Sequence, residues 1–298
     1  MIGALGTTLF FACNAIFANR SAKLLGSNRA NLLRLLVAAL ILGTWAHVAG
    51  QGLRGASLPW FFLSGLAGFG LGGVAMFQAL PRLGSALAML IVQCGSAVVA
   101  VAVEWCWLDA RLTAPQAGFV LITLLGVIAG LLPRSLPAGS RATLRIGAAW
   151  AAISACGQGL GAVLSRKAFQ LAAAAHEHPD AATTAYHRAL GGLAVAALVV
   201  ALAVLLRPKS APAAAAPATG RAWPWVLANA LTGPVLGVTC FQWALSTTPA
   251  GIVQPIVATA PLATIPFAMW LEQLRPRPLY YAGAMIAVVG VIGLFFAR

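Results

Sequence analysis

The second half of this chain repeats its first half at an offset of 165 positions. Pro59-Trp60 aligns with Pro224-Trp225, and Trp105 aligns with Trp270. Other identities at this offset are mostly Gly, Ala and Leu, which are common in the chain and match more often by composition alone. The tryptophan and Pro-Trp matches therefore carry most of the weight. A self-similar chain of this kind is expected to fold as two related structural units.

Both halves have the composition of membrane segments. The 298 residues are 61% hydrophobic and only 8% charged, whereas a soluble domain carries about 25% charged residues. A membrane span needs about 20 mostly apolar residues, and ten such segments fit into the chain. The predicted spans cover residues 2–18, 30–48, 58–80, 85–103, 116–132, 146–165, 183–206, 223–245, 250–270 and 279–297.

A basic connector around Arg134–Arg145 separates five predicted spans from the next five. The two units are then residues 1–138 and 143–298. Because each unit crosses the bilayer an odd number of times, the second must insert in the opposite direction to the first. The predicted fold is an all-α integral membrane protein of ten transmembrane helices in two inverted five-helix repeats. Such repeats are typical of secondary transporters, which bind substrate near the bilayer midplane.

Proline and glycine modify some of these predicted helices. Span nine contains Pro255, Pro261 and Pro266, and each proline removes a backbone donor, so we predict that this helix is kinked or broken. Glycines cluster at 68–73 and at 157–161. Small residues let helices approach closely in lipid, so the clusters predict tight packing; alternatively, smooth glycine contacts let helices slide during transport.

Two short acidic turns link the fourth and fifth spans of each half. They are Trp107–Leu112 (WLDARL) and residues 270–274 (WLEQL), and a glycine-containing helix follows each. With five plus five spans, these turns resemble the EamA-like ten-helix transporters of the drug/metabolite transporter superfamily over nearly the whole chain. The resemblance implies a bundle whose central cavity is lined by the first, third and fourth helices of each half. It also implies cytoplasmic termini and favours export.

The charge distribution gives the opposite orientation. Loops after odd-numbered spans hold twelve Lys and Arg residues, and the loops on the other side hold five. Lys and Arg are enriched in cytoplasmic loops, so this count puts both termini outside. We adopt the orientation implied by the resemblance, because the charge rule can mislead in proteins built from opposed repeats, and the alternative stays open.

Two arginines are the first candidate binding residues. Arg34 and Arg188 occupy matching positions early in the second span of each half. Charged groups inside a span are costly and mark functional sites by default. If both face the cavity, their guanidinium groups can hold a carboxylate or phosphate. The alternative is that each snorkels to the interface or pairs with a backbone carbonyl.

Buried amides form a second set of candidates. They lie in the helices that the resemblance assigns to the cavity, and a substrate or cavity water can satisfy them; the alternative is hydrogen bonding between helices. Trp243 is either an aromatic wall of the site or an interfacial anchor. The amide candidates are Asn14, Gln78, Gln93, Gln158, Asn229, Gln242 and Gln254.

Acidic residues are scarce, and none of the five lies in the middle of a predicted span. Exporters of cations usually need a membrane-embedded carboxylate, so neutral, zwitterionic or anionic substrates fit this chain better. Two residues are candidates for ion coupling. Glu104 lies at the end of span four, and His187, beside Arg188, is of a residue type that titrates near neutral pH.

Other functional classes find less support in the sequence. The net charge of +14 comes from residues scattered singly over short loops, which suits anionic lipid headgroups and not nucleic acid. His176–Asp180 holds metal-ligating residue types in a single loop without a second anchoring element, so we predict no metal. The chain lacks a GxxxxGK[ST] loop for ATP, and no cofactor or enzymatic activity is predicted.

The resulting hypothesis is a secondary transporter of a small organic metabolite, such as an amino acid or carboxylate, that works by alternating access. Its predicted partners are this substrate and membrane lipids, and its expected location is the bacterial inner (plasma) membrane. Ten spans can enclose a cavity in one chain, so a monomer is sufficient. The alternative is a flippase for a lipid or lipid-linked intermediate, which would need a groove open to the bilayer.

Overall fold

The computed structural model describes residues 1–132, 140–206, 219–272 and 277–297, and their side chains except those of 85–86, 219 and 267–272. The regular secondary structure of the described part is entirely helical. Its helices are α1 Ile2–Leu25, α2 Ser27–Val48, α3 Leu58–Gly65, α4 Gly72–Leu108, α5 Ala114–Leu131, α6 Arg141–Ala174, α7 Ala181–Leu205, α8 Thr219–Ala230, α9 Leu236–Thr247, α10 Ala250–Val257, α11 Ala260–Glu272 and α12 Pro278–Phe296.

Nine helical segments of the described ranges are long and apolar enough to cross a membrane, and a tenth apolar segment, Ala250–Pro266, is shorter. The predicted all-α membrane fold is confirmed. Helix α4 contributes the end of one segment, Leu58–Gly84, and the whole of the next, Leu87–Leu108, because it is broken at Gly84, whose φ is 75°. Only glycine adopts such a conformation without strain.

The predicted interruption of span nine is also confirmed. Helix α10 ends at Val257 and α11 begins at Ala260. Pro261 lies in the first turn of α11, where its missing N–H has no partner to lose. The turn between the two half-helices is hydrogen-bonded, with the Ala258 N–H donating to the Gln254 carbonyl oxygen at 2.8 Å and the Thr259 N–H to that of Ile256 at 3.1 Å.

The third span of each half is interrupted by one π-helical segment. The first π segment, Leu66–Leu71, joins α3 to α4, and the second π segment, Leu231–Val235, joins α8 to α9. The two segments begin at positions related by the same offset as the sequence repeat. Segments of this kind are frequent at functional sites, because the extra residue widens the turn and redirects side chains.

The glycine clusters pack against each other, as the sequence predicts. A Cβ atom on Gly157 would lie 2.7 Å from the Ala67 carbonyl oxygen, and one on Gly161 would lie 3.0 Å from the Gly68 Cα. Helix α6 therefore contacts the first π segment backbone to backbone. Such contacts hold helices together in lipid, where the surrounding acyl chains are as apolar as the helix surfaces.

The spans alternate in direction, so the loops divide between two faces of the bundle. The N-terminal face carries Met1 and the loops 49–57, 109–113 and 175–180, and the opposite face carries the reversals near Gly26 and Gly84. Helices α2 and α7 pack antiparallel, because Trp45 near the end of α2 reaches Asp180 at the start of α7.

Candidate functional site

A cavity of about 70 Å³ lies in the middle of the bundle. Its wall includes side chains from predicted spans one, three, four, six, eight and nine, as the resemblance implies, and also from spans two and seven through Arg34 and Arg188. Six of the ten predicted substrate-binding residues line this cavity. They are Asn14, Arg34, Gln93, Gln158, Arg188 and Gln254.

The other four predicted residues lie elsewhere. Gln242 is fully buried behind the wall. Gln78 donates to Asn28 and accepts from Arg82 near the opposite face. Asn229 and Trp243 are also outside the cavity lining. The Asn229 side chain donates to the Ser21 hydroxyl. Trp243 is 51% exposed on the outer surface beside Met1.

Arg34 is held inside the bundle by a neutral amide. Its Nε and Nη2 donate to Asn31 Oδ1 at 2.9 and 2.8 Å. The guanidinium carbon lies 5.0 Å from the centroid of the Phe77 ring and 6.0 Å from that of Phe69. The residue is buried, so it neither snorkels to the interface nor pairs with a backbone carbonyl there.

Arg188 has a similar environment in the second half. Its Nη1 donates to Gln242 Oε1 at 2.9 Å, and its guanidinium carbon lies 5.3 Å from the Phe69 centroid and 5.5 Å from that of Phe241. Its Nε is buried without a hydrogen-bond partner. Aromatic faces attract a cation but satisfy none of its donors, so this guanidinium keeps unused hydrogen-bonding capacity.

The two arginines lie at different depths. Each lies seven residues after the first residue of its helix, Ser27 in α2 and Ala181 in α7. The helices run antiparallel, and Tyr186 of α7 packs beside Gly43 of α2. Arg34 is thus nearer the opposite face and Arg188 nearer the N-terminal face, about 10 Å apart along the helix axes at 1.5 Å per residue.

Glycines of the first π segment and the start of α4 make room for both guanidinium groups. A Cβ atom on Gly68 would lie 2.9 Å from Arg188 Nη2, and one on Gly73 would lie 3.3 Å from Arg34 Nη2. From the sequence these glycines predict tight packing or sliding of helices, and their role beside the guanidinium groups was not predicted. The aromatic wall, Phe69 above all, was not predicted either, nor was Asn31, whose i, i+3 spacing to Arg34 was the available signal.

The cavity wall is electropositive. No Asp or Glu lies among the described residues that line it. In the part of the chain that the structure describes, the one ion pair joins Arg111 and Asp109 at 3.3 Å, and both side chains are exposed. The two cavity arginines are therefore buried cations whose closest protein partners are amides and aromatic rings.

Glu104, a coupling candidate, lies outside the cavity at the junction of α9 and α10. Its carboxylate is buried and accepts from the backbone N–H groups of Ala250 at 2.9 Å and Gly251 at 2.6 Å. Nearby, Arg166 donates to the carbonyl oxygens of Leu245 and Ser246 at the end of α9. The acid and the base together satisfy backbone groups that the helix break leaves free.

His187, the other coupling candidate, closes the N-terminal face. Its Nε2 lies 2.7 Å from the Gly52 carbonyl oxygen in the loop between α2 and α3. Glu177 accepts from the Ala56 N–H in the same loop at 3.1 Å. These contacts join loop 49–57 of the first half to loop 175–180 and α7 of the second. In the described residues, no three His, Cys, Asp or Glu side chains are grouped to hold a metal.

Asp180 completes this closure as the N-cap of α7. Its Oδ1 accepts from the N–H groups of Ala182 and Thr183 at 3.0 and 2.9 Å and from the Trp45 indole at 3.1 Å. Burial alone raises the pKa of Asp180, but the hydrogen bonds from Thr183, Trp45 and Ala182 outweigh it, and the net pKa is lowered from its usual value.

We expect Asp180→Ala to lower the free energy of unfolding by about 0.5–2 kcal/mol, as for other lost N-caps. A lowered folded-state pKa means that the carboxylate stabilises the protein above its unfolded pKa of about 3.9 and that this contribution is lost as pH falls through the folded pKa. Thermal unfolding in detergent should show a constant gap between the two proteins from neutral pH down to about pH 5 that narrows in stronger acid. A gap that widens in acid would contradict this assignment, and Asp180→Asn, which keeps a capping oxygen, is the control.

Comparison with known proteins bears on the fold and on the family. No curated protein matches the chain. A crystal structure, described only as that of a protein, is 18% identical to it, covers 97% of this chain and 94% of its own, and superposes with a TM-score of 0.72, which shows a shared fold. The model of the EamA-like transporter family matches twice, over residues 1–131 and 145–296. The chain therefore belongs to the EamA-like transporter family, whose members are membrane transporters of the drug/metabolite transporter superfamily.

Proposed function

We propose that this membrane transporter is a secondary transporter that exports a small organic anion, such as a carboxylate or an amino acid, across the bacterial inner membrane. The observation that carries the proposal is the shared cavity of Arg34 and Arg188, two buried guanidinium groups without a described carboxylate in the wall. A buried charge is stable only when it is paired. An anionic substrate supplies the negative charge that the described cavity wall lacks.

The chemistry of the cavity suits a carboxylate. A guanidinium presents five N–H donors in a planar fork, and Asn31 and Gln242 occupy only some of them. The remaining donors can bind two oxygens of one carboxylate side by side. Gln93 and Gln254 line the same cavity, and their amides can accept from an amino or hydroxyl group on the substrate.

Alternating access fits the positions of the two arginines. Arg34 is nearer one face and Arg188 nearer the other, so an anion entering from either side meets one guanidinium first and the other before it leaves. A volume of about 70 Å³ holds several water molecules and is small for a metabolite, so loading requires the helices to separate. The interrupted ninth span and the two π segments supply places where such a movement can begin.

Transport into proteoliposomes of the purified protein tests the proposal. The panel holds labelled amino acids, monocarboxylates, dicarboxylates and phosphorylated metabolites. We expect at least one anion to be transported, and we expect Arg34→Gln and Arg188→Gln each to reduce its uptake at limiting concentration by about 10- to 100-fold. This range corresponds to the roughly 1.5–3 kcal/mol of a charge-assisted hydrogen bond.

Arg54→Gln is the matched control, because Arg54 is an exposed arginine on loop 49–57. It should transport like the wild type. Full uptake by the Arg34→Gln/Arg188→Gln double variant would contradict the site. Movement of fluorescent lipid between leaflets, with no uptake of any soluble anion, would favour the flippase instead.

A further inference from the structure

We infer that the cavity binds a doubly charged organic anion, whose two negative charges are shared between Arg34 and Arg188. This inference rests on the proposed function and narrows its substrate class. The proposed function requires only that an anion be bound and moved.

Arg34 and Arg188 give the wall of the cavity two positive charges. Arg34 and Arg188 both line one cavity and are 7% and 4% exposed. Their hydrogen-bond acceptors are the neutral amides of Asn31 and Gln242. With no acid among the described lining residues, the site holds two positive charges within the apolar part of the membrane.

The described acidic side chains are engaged elsewhere in the fold. Glu104 binds the first turn of α10, and Glu177 and Asp180 bind backbone and indole N–H groups at the N-terminal face. Asp109 forms an exposed pair with Arg111. None of these four described carboxylates neutralises a cavity arginine, so we expect the ligand to supply the counter-charge.

The two guanidinium groups lie near one aromatic ring. The two guanidinium carbons approach the same Phe69 ring, at 6.0 and 5.3 Å from its centroid. Both groups and this ring line the same cavity, so a small molecule bound there can contact both guanidinium groups. A monoanion bound there would neutralise one guanidinium and leave the other unpaired, whereas a dianion neutralises both, and isolated charge is what the membrane interior disfavours.

Binding of three probes to the purified protein tests the inference. They are butyrate with one carboxylate, succinate with two, and glycerol 3-phosphate, whose phosphate carries two charges at about pH 8. In titration calorimetry we expect at least one dianion to bind about tenfold or more tightly than butyrate, the effect of one further charge-assisted contact. Preference for succinate would mean two separated charges, and preference for glycerol 3-phosphate would mean one phosphate.

Single variants should then change charge selectivity and not merely weaken binding. Arg34→Gln and Arg188→Gln should each bring the ratio of dianion to butyrate affinity close to one, while Arg54→Gln keeps the wild-type ratio. Melting temperatures check that the variants fold. If a variant does not fold, the ratio of dianion to butyrate affinity in the wild type still tests the inference.

Butyrate binding to the wild type as tightly as both dianions would overturn the inference. Anion transport would then still stand if the proteoliposome panel shows flux. Failure of all three probes to bind also overturns it, and the flux measurement, which uses a wider panel, decides the proposed function separately.

Discussion

Replacing Glu104 by Ala is expected to lower the free energy of unfolding by about 2–6 kcal/mol, because two buried backbone N–H groups lose their acceptor. The carboxylate is 2% exposed and accepts from two backbone N–H groups in the first turn of α10. Without it, both donors are buried without a partner, which costs about 1–3 kcal/mol each. Arg166 also loses the negative charge with which it interacts.

The variant should also impair transport, because α10 carries Gln254 into the cavity. Asp109→Asn is the matched control. Asp109 is an exposed acid at the end of α4, the helix that carries Glu104, and Asn tolerates its positive φ of 50°. Thermal unfolding in detergent compares the two. If Glu104→Ala unfolds at the same temperature as Asp109→Asn, the hydrogen bonds from the first turn of α10 to Glu104 do not stabilise the protein.

Glu104→Gln separates the structural role from ion coupling. The amide keeps one acceptor oxygen and nearly the same shape, so a smaller loss of stability is expected. A purely structural Glu104 leaves the pH dependence of transport unchanged in this variant. Loss of that dependence in a folded protein would support the assignment of Glu104 to coupling.

The sequence could predict which segments cross the membrane but not which side of each helix faces the cavity. The break in span nine followed from Pro255 and Pro261, because a missing donor acts locally. No such local effect fixes the rotation of each helix about its own axis, which decides the side that faces the cavity. In lipid the outer surface is as apolar as the interior, so the pattern of apolar residues does not separate the two sides as it does in a soluble bundle.

Individual residues show where this ambiguity matters. Arg34 and Arg188 were predictable as a pair, since a charge within a span must face the interior or reach an interface. Gln78 was not, because an amide near the end of a span can bond to neighbours such as Asn28 as readily as to a substrate. Phe69 offered no signal at all, because its role depends on the π segment, which redirects its side chain towards both arginines.

The contact between α3 and α7 depends on a missing side chain, and Gly65→Ala is expected to cost about 3 kcal/mol or more, at the upper end for overpacking. A Cβ atom on Gly65 would lie 2.0 Å from the Arg188 carbonyl oxygen and 2.8 Å from its Cα. These are backbone atoms, so α3 and α7 must move apart at the residue that carries the guanidinium. The change therefore also displaces Arg188 from Gln242 and should weaken anion binding together with stability.

The matched control for this variant is Gly118→Ala in α5, where no atom lies within 4 Å of the added Cβ. Alanine is the better helix former by about 1 kcal/mol, so this control should be neutral or slightly stabilising. Gly191→Ala probes the other side of the same contact, since its Cβ would lie 2.2 Å from the Phe62 carbonyl oxygen, and should behave like Gly65→Ala. If Gly65→Ala unfolds at the temperature of Gly118→Ala and binds the anion normally, the close approach of α3 to α7 does not fix the position of Arg188.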